Sequence, residues 1–260
     1  MYVLGGPREQ EDPHAGPWEF LGPIVGMDQR QWAIDGTVME LDGRLYFVYS
    51  GWPVPPEREY DNYDEATQLL FIIRLASPTQ ADSDPVVISR PDQPWERMGH
   101  VGINEGPQYL TSPDGWTWRG IVYSCSASWT KEYKMATLRY VGGDPLNPAS
   151  WLKSKVPLLQ NDSSHREGPF GPGHGNFLHF KESGQTFALF HATDKDDDGF
   201  KGRKCRMQKV EWTPEGPHMG GCVGKATRDV DRFMGRRDEQ ESGGGGTFRK
   251  MLHGLQQRLG

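Results

Sequence analysis

Trp32-Ala33-Ile34-Asp35-Gly36 leads into an alternating apolar run, a turn at Asp42-Gly43 and the strand Leu45-Tyr46-Phe47-Val48-Tyr49-Ser50. An Asp-Gly pair between alternating runs is a strong hairpin signal, so residues 35–50 read as two antiparallel strands. Two further stretches share the design: Ile103-Asn104-Glu105-Gly106-Pro107 before Ile121-Val122-Tyr123-Ser124, and Gly171-Pro172-Gly173-His174-Gly175 before Phe187-Ala188-Leu189-Phe190-His191. Each sets one chemically potent residue among glycines just ahead of a strand. Asp35 and Glu105 are 70 positions apart, and Glu105 and His174 are 69 apart. A repeat of this size in all-β sequence predicts a propeller, in which equivalent strands line one axis. Asp35, Glu105 and His174 are then expected to converge there.

Composition agrees with a single large all-β domain. The chain has 260 residues, 35% hydrophobic and 11% aromatic with nine Trp, which is poor in aliphatics and rich in rings. Thirty-three Gly and twenty Pro suit many short strands joined by tight turns. The net charge of −6 divides unevenly, with −9 on residues 1–221 and +3 on residues 222–260. An acidic body is a poor partner for nucleic acid or for anionic membranes. Cys125, Cys205 and Cys222 form neither a paired framework nor a zinc spacing. No apolar run approaches a membrane span, and the first ten residues lack the apolar stretch of a secretion signal. That reads either as a cytoplasmic chain or as one that starts downstream of the natural start.

Along the chain, residues 1–17 read as loop, and Trp18 to Val25 as one strand without a preceding partner. Pro53 to Glu65 is an acidic loop. Leu69 to Leu75 and Val86 to Ser89 complete a four-stranded unit. A second unit runs from Glu105 to Trp151 and a third from His174 to Trp212. No ordinary amphipathic helix is expected before Cys222. Beyond it, Gly243–Gly246 reads as a flexible linker, and Phe248, Met251, Leu252, Leu255 and Leu259 as a short apolar stripe on a frayed tail. The domain reading is therefore 1–221 propeller and 222–260 basic tail, disordered or a short helix.

Glu105, between Asn104 and Gly106-Pro107, is the best candidate acid, because a partly desolvated carboxyl stays protonated at neutral pH. Asp35 beside Ile34 and Trp32 is the second carboxylate. Two carboxylates facing one pocket are the equipment of glycoside hydrolysis. His174 has three uses open to it: metal coordination, substrate contact, or a bond to a turn carbonyl. His191 reads as structural. Trp32, Trp52 and Trp129 lie near these segments and suit the C–H faces of sugar rings as well as ordinary packing. Asp194-Lys195-Asp196-Asp197-Asp198-Gly199 resembles the start of a calcium loop, but its twelfth position is Cys205, so it reads as an acidic turn.

These motifs resemble glycoside hydrolase family 43, a family of five-bladed propellers that includes α-L-arabinofuranosidases, arabinanases and β-xylosidases. The resemblance runs through Trp32 to Thr37, Asp42-Gly43, Tyr49 to Trp52, Ile88 to Pro91, Ile103 to Pro107, Gly142 to Leu146, Gly171 to His174 and Gln208-Lys209, over residues 17–221. It looks most like the exo-acting α-N-arabinofuranosidase branch. It implies Glu105 as general acid, Asp35 as the carboxylate that tunes it and orients substrate, and His174 on the channel floor, in some relatives close to calcium. It also implies Arg206 as a substrate-facing arginine, and inversion of the anomeric centre with no cofactor required.

The resemblance departs at the front. The general-base Asp that it calls for belongs ahead of the matched residues, and Asp12-Pro13 has only the right dipeptide character. The chain is thus expected to be a five-bladed type incomplete at its N-terminus, without its base, and impaired in turnover. The activity that the resemblance implies is inverting removal of terminal α-L-arabinofuranosyl residues from plant cell-wall polysaccharide by a secreted monomer. A non-catalytic carbohydrate-binding propeller and a β-xylosidase are the alternatives.

Overall fold

The computed structural model of the chain describes residues 1–6, 16–53, 67–100, 102–161, 168–196 and 199–222. Asp12, most of the 53–65 loop and the tail from residue 223 lie outside them. Among the described residues the chain is all β, with two single-turn 3₁₀ helices at Pro94–Glu96 and Pro148–Ser150.

The strands form four sheets. Strands β1 (Tyr2–Gly5) and β2 (Glu19–Pro23) pair antiparallel. This corrects the expectation of a loop over residues 1–17 and of an unpartnered strand at Trp18. The short β-prone run Tyr2-Val3-Leu4 was obscured by the polar, Pro-rich residues after it. The second sheet holds β3 (Ala33–Leu41), β4 (Arg44–Gly51), β5 (Leu69–Ser77) and β6 (Gln80–Ala81), with β7 (Val86–Ser89) also on β5. It has five strands rather than the expected four. Asp42 and Gly43 both take positive φ, 51° and 74°, as a two-residue hairpin turn of this kind demands.

The third sheet runs β11-β10-β9-β8 in space, from β8 (Asn104–Thr111), β9 (Arg119–Cys125), β10 (Lys134–Tyr140) and β11 (Trp151–Lys153). The fourth runs β12-β13-β14-β15, from β12 (Phe170–Phe180), β13 (Gln185–Thr193), β14 (Arg203–Thr213) and β15 (Gly216–His218). These sheets are three successive blades of a propeller of the five-bladed type. The first strand of each blade is the inner one, and β8 touches both β3 and β12.

The blades pack face to face. Val48, Leu70 and Ile72 meet Ile121, Tyr123 and Leu138 in one core, while Val122 and Met135 meet Ala188, Phe190 and Val210 in the next. Strand β9 therefore buries both faces, which is why Ile121-Val122-Tyr123 shows no polar alternation. The last described residue, Cys222, is itself buried in the second of these cores.

A fully buried carboxylate ties the middle blade together. Glu96 accepts hydrogen bonds from Asn104 Nδ2 (2.8 Å), Tyr123 Oη (2.9 Å) and Lys153 Nζ (2.9 Å). Its Oε2 also accepts the Gln93 N–H, closing a capping box on the 3₁₀ turn. Removing this carboxylate takes the acceptor from the buried Asn104 amide and Tyr123 hydroxyl and half of the ion-pair partners from Lys153, which keeps Asp92. We expect Glu96→Ala to cost about 3–5 kcal/mol of stability, read as a shift in the urea midpoint at unchanged slope.

Candidate active site

Asp35, Glu105 and His174 each lie inside an inner strand, at a β-bulge, rather than ahead of the strand as the sequence suggested. The pairing register slips between Ile34 and Thr37, between Glu105 and Gln108, and on both sides of Gly173. At each slip the backbone turns left-handed: φ is 56° at Asp35, 56° at Gly106 and 55° at His174. A bulge adds a residue, bends the strand and re-aims a side chain. Here it turns three side chains towards one another. Glycine is required where the strands then crowd: a Cβ on Gly106 would sit 3.2 Å from His174 Nδ1, and one on Gly173 only 2.0 Å from Tyr133 Cε1. Non-glycine residues at positive φ carry strain, and at Asp35 and His174 the surrounding sheet holds it.

The three side chains meet. Asp35 Oδ2 accepts the Gly106 N–H at 3.1 Å, binding the first inner strand to the second directly beside Glu105. His174 Nε2 stands 3.8 Å from Asp35 Oδ1, and the His174 N–H donates to Ser124 Oγ at 2.7 Å, binding the third inner strand to its neighbour. Glu105 is 7% exposed, and its Oε1 accepts from Tyr133 Oη at 2.7 Å. Burial pushes its carboxyl above the ordinary carboxylate range. The Tyr133 hydrogen bond pulls it back, the Asp35 carboxylate raises it further, and His174 and Arg203 lower it. The net direction is upward, which suits a proton donor.

Trp32 and Trp52 stack at 4.5 Å and 16°, both half-buried, at the end of the hairpin that carries Asp35. Trp52 N–H donates to Trp32 O, and Gln31 Nε2 donates to Trp52 O, so the pair is fixed by its own backbone. Trp129 instead meets His100 edge-on at 5.5 Å. Arg206 is buried with its guanidinium on Asp194, which also receives Lys204. Asp194 thus closes the turn between β13 and β14, as an acidic turn does.

Sequence reasoning missed Tyr133 and Ser124. Tyr133 sits in the polar run Thr130-Lys131-Glu132, 28 residues beyond Glu105, where no pattern marks it. Ser124 looked like a strand end. His191 belongs to the surroundings of the site: its ring stacks on Tyr133 at 5.6 Å and on His174 at 6.4 Å.

The chain belongs to glycosyl hydrolases family 43, whose model matches residues 7–217. Alpha-L-arabinofuranosidase B of Pyricularia oryzae is 31% identical over 228 residues, covering 84% of this chain and 43% of that protein. The extracellular exo-alpha-(1->5)-L-arabinofuranosidase of Streptomyces avermitilis is 28% identical over 227 residues, covering 85% and 44%. The chain spans about half the length of the curated relatives it matches. Among solved structures, alpha-L-arabinofuranosidase from Lactobacillus brevis superposes with a TM-score of 0.71 at 25% identity, covering 87% of this chain and 67% of that one. A thermostable family-43 glycoside hydrolase shares the fold, with a TM-score of 0.66 at 20% identity over 81% of this chain and 64% of that one.

The donors around His174 do not fit calcium. That ion takes six to eight oxygens, whereas Asp35 and two imidazoles supply one carboxylate and soft nitrogens, and among the described residues no three acidic, His or Cys side chains converge as ligands. No step of the mechanism passes through a metal.

Burial lowers the His191 imidazole from 6.5 to about 4, with Arg203 and His174 adding to the shift. The folded form therefore resists protonation, while the unfolded chain takes a proton already near 6.5. Stability is fully present above that value and falls as pH drops from 6.5 towards 4. An NMR titration should place the His191 midpoint near 4, and His191→Phe should flatten this part of the stability–pH curve.

Proposed function

We propose that the chain carries the acid half of an inverting glycosidase site, which acts on terminal α-L-arabinofuranosyl residues of arabinan- or arabinoxylan-type polysaccharide. The observation that carries this reading is Glu105: buried, its carboxyl pushed upward by that burial, and set beside Asp35 in a family 43 chain. The names of the relatives support the sugar, and the word extracellular in two of them supports secretion.

In this mechanism the protonated Glu105 gives its proton to the glycosidic oxygen as the bond from that oxygen to the anomeric carbon breaks. The alcohol leaves neutral. A water attacks the anomeric carbon from the opposite face and must lose its own proton to a base. Asp35 keeps Glu105 protonated through its negative charge and holds the Gly106 backbone in place. Trp32 and Trp52 offer a stacked wall to a sugar face, and His174 is the remaining polar contact. Trp129 and Arg206 are the further substrate contacts in this reading.

One observation favours a second reading, a propeller that binds without turning over. Asp35 Oδ2 is committed to the Gly106 N–H, so Asp35 is placed to orient rather than to activate water. Loss of a general base slows such a site by about 10²–10⁴-fold.

Glu105→Gln should therefore lower hydrolysis of an arabino-oligosaccharide by about 10²–10⁴-fold. The loss should be smaller on a nitrophenyl arabinofuranoside, whose leaving group needs less protonation. Calorimetric binding of the oligosaccharide should persist in both forms. Binding by the parent chain with no hydrolysis above background would establish the binding-only reading instead.

A further inference from the structure

The hydrogen bond on Glu105 lies at the end of a line of polar groups running from the His174 backbone through Ser124 and Tyr133. The His174 N–H is a backbone donor and can only donate, and it reaches Ser124 Oγ at 2.7 Å. Ser124, with no exposed surface, faces Tyr133 with its hydroxyl. Tyr133 has one hydroxyl proton to give, and it goes to Glu105 Oε1 at 2.7 Å in a buried hydrogen bond.

The Tyr133 ring cannot swing away from this path. It is fully buried, lies against Gly173 where a single methyl group would collide, and stacks within 13° of the His191 ring.

Resting on the reading of Glu105 as the acid, we propose that Ser124 and Tyr133 are positioning residues that decide which oxygen of Glu105 carries the proton. Because Oε1 is held as an acceptor, the transferable proton sits on Oε2. A carboxylic acid free to exchange its proton between two oxygens presents it to substrate only part of the time. The relay removes that ambiguity and keeps the carboxyl from rotating. It also joins two blades, since its source is the bulge of β12 and its end is the bulge of β8.

The charged and titratable groups that act on Glu105 are Asp35 on β3, His174 on β12 and Arg203 at the start of β14, with the Cys125 thiol on β9 nearby. None of them is altered by changing Tyr133 or Ser124. The test uses the free protein with ¹³C-labelled glutamate, followed by NMR titration and by the infrared carbonyl stretch of protonated Glu105, with Glu105→Gln identifying both signals. In Tyr133→Phe, which keeps the ring and its packing, the Glu105 midpoint should rise by about one pH unit or more, since a hydrogen bond to the charged form is lost. Its carbonyl stretch should move to higher frequency, because Oε1 no longer accepts. Ser124→Ala should shift the midpoint the same way by less, and the double variant should match Tyr133→Phe alone.

An unmoved midpoint in Tyr133→Phe would overturn the proposal. So would an unmoved carbonyl stretch, which would mean that Glu105 donates to Tyr133 from Oε1. Neither readout depends on turnover, so a chain that binds sugar without hydrolysing it tests the relay equally well. Conversely, a confirmed relay in a chain that neither binds nor cleaves arabinofuranosides would defeat the functional reading alone.

Discussion

The bond from the Gly106 N–H to Asp35 Oδ2 is the contact on which the site depends. It joins the inner strands of two blades at their bulges, where the regular ladder has been given up. At that point a strand has a donor with no ladder partner, and a buried unpaired N–H is costly. A carboxylate from the next blade satisfies it. The same exchange occurs one blade further on, where the His174 N–H, freed by its own bulge, finds Ser124 Oγ. Each bulge leaves a donor, and the groups that satisfy it stand among the candidate site residues.

This arrangement explains how a buried acid remains usable. Burial pushes the Glu105 carboxyl upward, and the Tyr133 hydrogen bond, His174 and Arg203 pull against that shift. The middle blade supplies the rigidity behind this. Glu96 clamps Asn104, the residue before Glu105, while Ser89 Oγ donates to Asn104 Oδ1 at 2.7 Å and Lys153 neutralises the carboxylate. The acid thus stands on a strand whose preceding side chain is fixed on both of its polar atoms.

Much of this was legible in the residues. The Asp42-Gly43 hairpin, the blade boundaries near Glu105 and His174, and the acidic turn at Asp194 all follow from local signals that act over a few positions. The repeat of Asp35, Glu105 and His174 pointed to convergence because equivalent positions in a propeller share an axis. Less legible were features whose cause lies across the fold. β1 is only four residues long and gains its stability from β2, fourteen positions away. The ion pair of Arg206 with Asp194 was not legible either, since the β13–β14 pairing brings the two together. Trp129 was grouped with Trp32 and Trp52 by residue type, whereas only the latter two stack.

By itself the sequence determined the all-β class, the repeating blade and the family, because turn chemistry and strand period are local and the repeat makes them visible three times. Only the tertiary structure decided that the potent residues sit on left-handed bulges inside the strands. Only it revealed that Tyr133, unmarked in the chain, ends on Glu105, and that Ser124 receives the His174 N–H. The physical reason is that a hydrogen-bond relay between blades depends on donor direction and burial, and neither exists until the blades have packed.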